Sequence, residues 1–304
     1  MSEEKGKSPH AIWQPLGAPA LIGDPIVQSL ILIIATSAVF LAFPGIDIWF
    51  SNLFYANGFL AGRLQAFVGL RDFWRNMTAA IATVLVVVLV IKLVWPYRRS
   101  LLAPRDILFI LSTLVVGPGI ITNLIFKDNW GRPRPFMVEN YGGDLPFVGA
   151  WKITHYCGHN CSFVSGEAAS SMWLVTLAVL LPPRWRPTGI RVLLAFGAAF
   201  SLNRILFGAH FLSDVMLGWW ITLLVIAIAY RLFYVSPPAA LTNDSLEAWL
   251  SEAGAEIRQG VAVLKERVAK ALGERRAARA TDAEDSELET DRPPEAVRPP
   301  DESP

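Results

Sequence analysis

The chain has 304 residues, 53% hydrophobic and only 17% charged, with a net charge of +1 at pH 7. A mean hydropathy of +0.40 excludes an ordinary soluble domain, in which about a quarter of the residues carry charge. The near-neutral balance gives no basis for nucleic acid as a partner, and the apolar runs point to a lipid bilayer instead.

Residues 1–25 are polar and Pro-rich, with Trp13 as a candidate interfacial anchor. No short apolar core with a small-residue cleavage site follows, so this segment reads as a retained cytoplasmic N-terminus. Runs near the ~20 residues needed to cross a bilayer predict six spans: Ile26–Phe43, Met77–Trp95, Ile107–Phe126, Ser165–Leu181, roughly Ile190–Asn203, and Phe211–Tyr230. The expected fold is all-α: a six-span transmembrane helix bundle over residues 26–234, a cytoplasmic amphipathic helix over 241–280 and a disordered acidic tail over 281–304.

Arg98, Arg99 and Arg105 follow the second span, and Arg184, Arg186 and Arg191 follow the fourth. The positive-inside rule places both loops in the cytoplasm, and Lys92 is positioned to snorkel to that side. Loops 44–76 and 127–164 and the turn around Arg204–His210 then face outward. The first of these carries Trp49, Phe50, Phe54, Tyr55, Phe59 and Trp74, which suit an interface or a lipid entrance.

Cys157 and Cys161 lie in the outer segment His155-Tyr156-Cys157-Gly158-His159-Asn160-Cys161. An oxidising compartment permits a disulfide there; unpaired cysteines and a metal site are the alternatives, although the spacing matches no standard zinc template.

Beyond the last span, Asp244 and Ser245 are candidate caps. Leu246, Leu250, Ala253, Ile257, Val261, Leu264, Val268 and Leu272 then repeat at three and four, the pattern of one apolar stripe on a helix. Lys265, Arg267, Lys270, Arg275, Arg276 and Arg279 cluster towards its end. Two readings stay open: a helix on the anionic leaflet, or one packed under the protein's own bundle or on a second copy, which leaves a homo-oligomer possible.

Three clusters carry chemistry, each at the end of an apolar run, where charge is kept mainly for function. His210 and Asp214, four apart, are expected on one helix face, with the carboxylate fixing the imidazole tautomer and leaving the other nitrogen free to attack. Arg204 precedes them. Lys127 and Arg134, in Lys-Asp-Asn-Trp-Gly-Arg-Pro-Arg-Pro, offer cations to a phosphoryl group, with Arg132 read as a lipid-headgroup contact. Ser165 and Gly166 open a helix whose N-terminus favours an anion.

Lys-x6-Arg-Pro, Ser-Gly and Arg-x5-His-x3-Asp, in this order, resemble the type 2 phosphatidic acid phosphatase superfamily, which includes vanadium haloperoxidases. The likeness covers roughly residues 100–230. It implies a helical bundle with an outward-facing site in which Lys127, Arg134, Arg204, Ser165 and Gly166 hold phosphate. His210 becomes phosphorylated, Asp214 orients it, and no metal or cofactor takes part. Two positions depart from the pattern. Asn203 stands where Ser is usual, and Glu167 stands where the family has the histidine that protonates the leaving oxygen. Glu167, His155 or His159 is then the candidate acid, and a structural or substrate-sorting Glu167 is the further alternative. Ser-Phe-Val-Ser-Gly-Glu also looks like the variant in bacterial enzymes grouped with lipid A phosphatases.

The expected activity is metal-independent hydrolysis of a phosphomonoester or diphosphate lipid at the periplasmic face of a bacterial inner membrane. The candidate substrates are phosphatidate, phosphatidylglycerol phosphate, undecaprenyl diphosphate and lipid A. A lipid phosphotransferase using the same half reaction and a non-catalytic lipid-phosphate binder are the alternatives.

Overall fold

The structure, a computed structural model, describes residues 23–60 and 65–290. Trp13 with the rest of the N-terminal segment, and residues 291–304 of the expected acidic tail, lie outside the described residues.

The chain is all-helical, with no strand among the described residues. Helix α1 (Pro25–Ala42) begins where Asp24 accepts the Ile26 N–H at 2.9 Å, with Pro25 in the first turn. A short α2 (Gly45–Asn52) follows. Helix α3 (Gln65–Val94) starts well before the expected Met77, so much of the expected loop 44–76 is helical. Trp74, counted among the interfacial aromatics, is instead buried in the core and stacked on Phe200 at 4.0 Å.

Helix α4 (Pro104–Leu114) continues as a wider π-helix over Val115–Lys127. Pro118, inside that stretch, has no N–H to donate, and the backbone changes register just before it. Helix α5 (Gly166–Trp173) tightens into a 3₁₀ stretch, Leu174–Leu180. Helices α6 (Arg186–Leu206) and α7 (Leu212–Tyr230, extended by Arg231–Val235) complete the bundle, and α8 (Asn243–Thr290) ends it.

Five helical segments among the described residues are long and apolar enough to cross a membrane: Pro25–Ala42, Phe67–Val94, Pro104–Lys127, Pro183–Leu206 and Leu212–Val235. The expected fourth span is the shorter apolar helix Gly166–Leu180. Its α and 3₁₀ rises together give about 26 Å, below the ~30 Å hydrocarbon thickness. The expected fifth span is longer than Ile190–Asn203, because Pro183 and Pro187 start helical turns rather than prevent them.

Helix α7 is the hub, packed on α1, α4 and α5. Gly218 allows a close approach to α5: a Cβ there would stand 2.8 Å from the Ser165 carbonyl oxygen. Small residues at such crossings let membrane helices pack without a hydrophobic drive.

At the Pro104 end of the bundle, Lys92 does not snorkel out. It is buried and donates to the carbonyls of Pro96 (3.0 Å) and Arg98 (2.8 Å), with Glu247 of α8 at 2.8 Å. Thr242, rather than Asp244 or Ser245, caps α8 by accepting the Ser245 N–H at 3.3 Å. Residues 281–290, expected to be disordered, continue this helix.

Gly218→Leu is expected to push α5 from α7 and displace Ser165. Thermal unfolding in detergent should show a loss of about 1–3 kcal/mol, as for overpacking, with activity falling by more than the folded fraction does.

Candidate active site

His210 does not lie on a helix. It sits in the turn between α6 and α7, one residue before the α7 N-cap Phe211, and is fully buried. Its Nδ1 is 2.8 Å from the Ser162 carbonyl oxygen. A carbonyl only accepts, so Nδ1 carries the proton and Nε2 carries the lone pair. Burial, only partly opposed by Glu167 and reinforced by the Arg134 and Lys127 charges, lowers the imidazole pKa from 6.5 to about 3. The ring is therefore neutral near pH 7.

Asp214 is not the direct partner expected from its spacing. Its Oδ2 is 3.9 Å from Nδ1, beyond hydrogen-bond reach. The same oxygen accepts from the Ser162 hydroxyl (2.6 Å) and the Phe211 N–H (3.0 Å). Asp214 thus fixes Ser162, and Ser162 fixes the imidazole.

Arg132 anchors this arrangement. Expected to touch lipid headgroups, it is entirely buried. Nε donates to Val148 O (2.8 Å), Nη1 to Ser213 Oγ (2.8 Å) and Asp214 Oδ1, and Nη2 to Asp47 Oδ2 (2.8 Å). Its guanidinium lies 4.5 Å from the Phe211 ring centroid. Asp47, in the first turn of α2, accepts from the Ser213 N–H (2.9 Å) and hydroxyl (2.6 Å). It therefore braces the first turn of α7, where a carboxylate is favoured. Sequence reasoning missed Asp47, Ser162 and Ser213. An acidic residue at the head of the aromatic segment 45–55 was the available signal for Asp47; none marked the serines.

Lys127, Ser165, Gly166, Glu167, Arg204 and His210 come together at one end of the bundle. Glu167 is 3.3 Å from Arg204 and 3.4 Å from His210 Nε2. Among the described residues, neither that nitrogen nor Glu167 Oε2 has a hydrogen-bond partner, so the 3.4 Å contact is proximity without alignment. A Cβ on Gly166 would stand 3.0 Å from Lys127 Nζ and 2.7 Å from Asn123 Oδ1; the bare glycine lets the lysine reach the α5 N-terminus. Ser165 caps α5, its hydroxyl accepting the Ala168 N–H at 3.3 Å, and can still donate to an anion.

Arg134 is held by Asn160 at the rim of the site: Nη2 donates to its carbonyl and side-chain oxygens, both at 2.8 Å. Cys157 and Cys161, joined to each other, bracket Asn160. The bonded sulfurs are not free thiolates, so the metal reading of the pair fails. Cys161 N–H donates to Lys127 O (3.2 Å) and Ser162 N–H to Arg132 O (2.9 Å), which ties this loop to the cationic segment. His155 and His159 are exposed, and His159 lies 2.9 Å from Asp128 rather than against His210.

Residues 106–237 match the PAP2 superfamily. The lipid A 4'-phosphatase of Rhizobium leguminosarum is 38% identical over 208 residues, spanning 64% of this chain and 89% of that protein. The chain belongs to the PAP2 superfamily. Lipid A 4'-phosphatases of Rhizobium etli (strain ATCC 51251 / DSM 11541 / JCM 21823 / NBRC 15573 / CFN 42) and Francisella tularensis subsp. novicida (strain U112) are also similar. The first is 38% identical over 208 residues, 64% of this chain and 81% of that protein. The second is 31% identical over 213 residues, 69% of this chain and 96% of that protein. No solved structure matches the chain.

Nitrogen NMR of histidine-labelled protein, with the His210 signal identified by its loss in His210→Gln, should show a neutral Nδ1–H ring from about pH 5 to about pH 8. A midpoint near 6.5 for that signal would refute the desolvated, carbonyl-bonded imidazole. Arg132→Leu leaves two buried carboxylates without a counter-charge and should lower stability by about 3–5 kcal/mol, with part recovered by adding Asp47→Asn.

Proposed function

We propose that this PAP2 superfamily member, a phosphoric ester hydrolase, removes a phosphate from a lipid A-type glucosamine lipid through a phosphohistidine on His210. The carrying observation is the His210 Nε2 lone pair, fixed by Ser162 and set beside Glu167, Arg204 and Lys127. The similarity to three lipid A 4'-phosphatases supports the substrate class. The positive loops after α3 and α5 favour a cytoplasmic Pro104 end, and hence a site at the periplasmic face of a bacterial inner membrane. This orientation requires the short Gly166–Leu180 helix to cross, with its ends drawing the bilayer thinner locally.

A phosphate entering the site replaces the Glu167 carboxylate at Arg204, because it carries more charge and more acceptor oxygens. Lys127, Arg134 and Arg204 then neutralise the charge that spreads over the phosphoryl oxygens. Displaced from Arg204, the Glu167 carboxylate takes up a proton from solvent, which it gives back when it returns to Arg204 at the end of the cycle. Nε2 forms the N–P bond as the P–O bond to the sugar breaks, and the leaving oxygen takes that proton from Glu167. Water next attacks phosphorus, gives its proton to the Glu167 carboxylate, and the N–P bond breaks to release phosphate and the neutral imidazole. Glu167 thus takes the role that histidine has in the family pattern. Its displacement from Arg204 is what frees it to act.

Purified protein in detergent, with chelator, should release phosphate from bisphosphorylated lipid A. Mass spectrometry should show loss at the non-reducing sugar. Phosphatidate, phosphatidylglycerol phosphate and undecaprenyl diphosphate should react much more slowly. His210→Ala should lose about 10⁴-fold or more in kcat, and Glu167→Gln about 10²-fold. Tight binding of lipid A without phosphate release would instead favour a binding protein.

A further inference from the structure

Helix α8 divides into two parts with different surroundings. Leu246 and Leu250 are buried under the bundle, and Glu247 meets Lys92 of α3 and the Ser100 N–H. At about 100° per residue, Leu246, Leu250, Ile257, Val261, Leu264, Val268 and Leu272 all fall within about 80° of one another. The stripe that docks the helix therefore runs on past the edge of the protein. From Ile257 to Leu272 its five members are 45–60% exposed.

Three observations say what covers that stripe. First, it is continuous with the exposed apolar face of a membrane-span helix. Val86, Val87, Val90 and Val94 are exposed on a span of α3, and Val90, Val94 and Trp95 line a wedge of about 640 Å³ with Ile257, Val261 and Lys265 of α8. Second, the charges are arranged around the stripe. Arg258 and Lys265 flank one side and Arg267 the other, while Glu266 lies on the opposite face, as the ~100° helical advance requires. Third, charge is segregated along the axis. Arg258, Lys265, Arg267, Lys270, Arg275, Arg276 and Arg279 face only Glu266 and Glu274 between 257 and 279, and acidic residues dominate from Asp282. A stripe of aliphatics flanked by basic residues whose stems reach past it is the pattern of a helix lying in an anionic headgroup layer.

We infer that α8 from Ile257 to Arg279 is an interfacial helix seated on the anionic phospholipid leaflet at the Pro104 end of the bundle, opposite the candidate site. Its docked first turns set the helix at the height of the α3 end, and the wedge against Val90 and Val94 takes acyl chains. The acidic stretch that follows is repelled by the same leaflet and marks where the contact ends. The inference does not depend on the proposed catalysis, since it concerns the other end of the molecule.

The test uses the full chain in vesicles of phosphatidylcholine with or without phosphatidylglycerol. A bimane label is placed at Leu264→Cys or Glu266→Cys; Cys157 and Cys161, being joined, do not take it. With phosphatidylglycerol present, acyl-chain bromination should quench the 264 label at least about threefold more than the 266 label. Lys265→Glu with Arg267→Glu should remove that difference. Equal, water-like emission at the two positions would overturn the inference. So would a shielded 264 label that becomes exposed when the protein is diluted in excess lipid, because the stripe would then be covered by a second copy.

Discussion

Arg132 sits where three segments that are distant in sequence must meet. Its fork reaches Asp47 on α2, Ser213 and Asp214 in the first turn of α7, and the Val148 carbonyl in the loop before α5. A planar guanidinium can satisfy these acceptors at once, whereas a lysine point charge cannot. Buried like this, the ion cluster adds little net stability over an apolar equivalent, but it fixes one geometry, since removing any member strands a charge. That geometry is the position of Asp214, then of Ser162, then of the His210 ring. The His210 ring is thus oriented through a relay rather than by direct contact with Asp214.

This relay explains what the sequence shows and what it hides. The apolar runs reveal α1, α4 and α7 because their length and composition are the physical requirement for crossing a bilayer. They misplace the start of α3, where Arg71, Asp72 and Arg75 interrupt the pattern, although all three remain within the helix. They overstate Ser165–Leu181, whose 3₁₀ half changes its length without changing its composition. Residue spacing brings His210 and Asp214 to mind as a pair, but spacing assumes a helix, and the chain turns at His210 before α7 begins. Arg132 and Arg134 are two residues apart, and no local pattern distinguishes the buried one from the one at the rim. Pro133 between them, which stiffens the backbone, aims them at different partners.

Glu167 also shapes the charge of the site. A carboxylate held by Arg204 beside the imidazole occupies the place of an anion. In the proposed reaction, a ligand with more charge than one carboxylate displaces it. A phosphate on a sugar lipid meets that condition. The Cys157–Cys161 loop holds Arg134 through Asn160 without touching His210. Arg134 and the His210 ring are therefore positioned by separate parts of the segment between Lys127 and Gly166, which meet where Ser162 follows Cys161.

The central claim is that His210 Nε2 carries the phosphoryl group. Rapid acid-free quenching of the enzyme during turnover of lipid A labelled with ³²P at the scissile phosphate tests it. The account predicts an alkali-stable, acid-labile label that maps to the peptide containing His210 and is absent from His210→Ala. A hydroxylamine-sensitive label on the Glu167 peptide of the wild-type enzyme, or turnover with no labelled protein in either form, would contradict it.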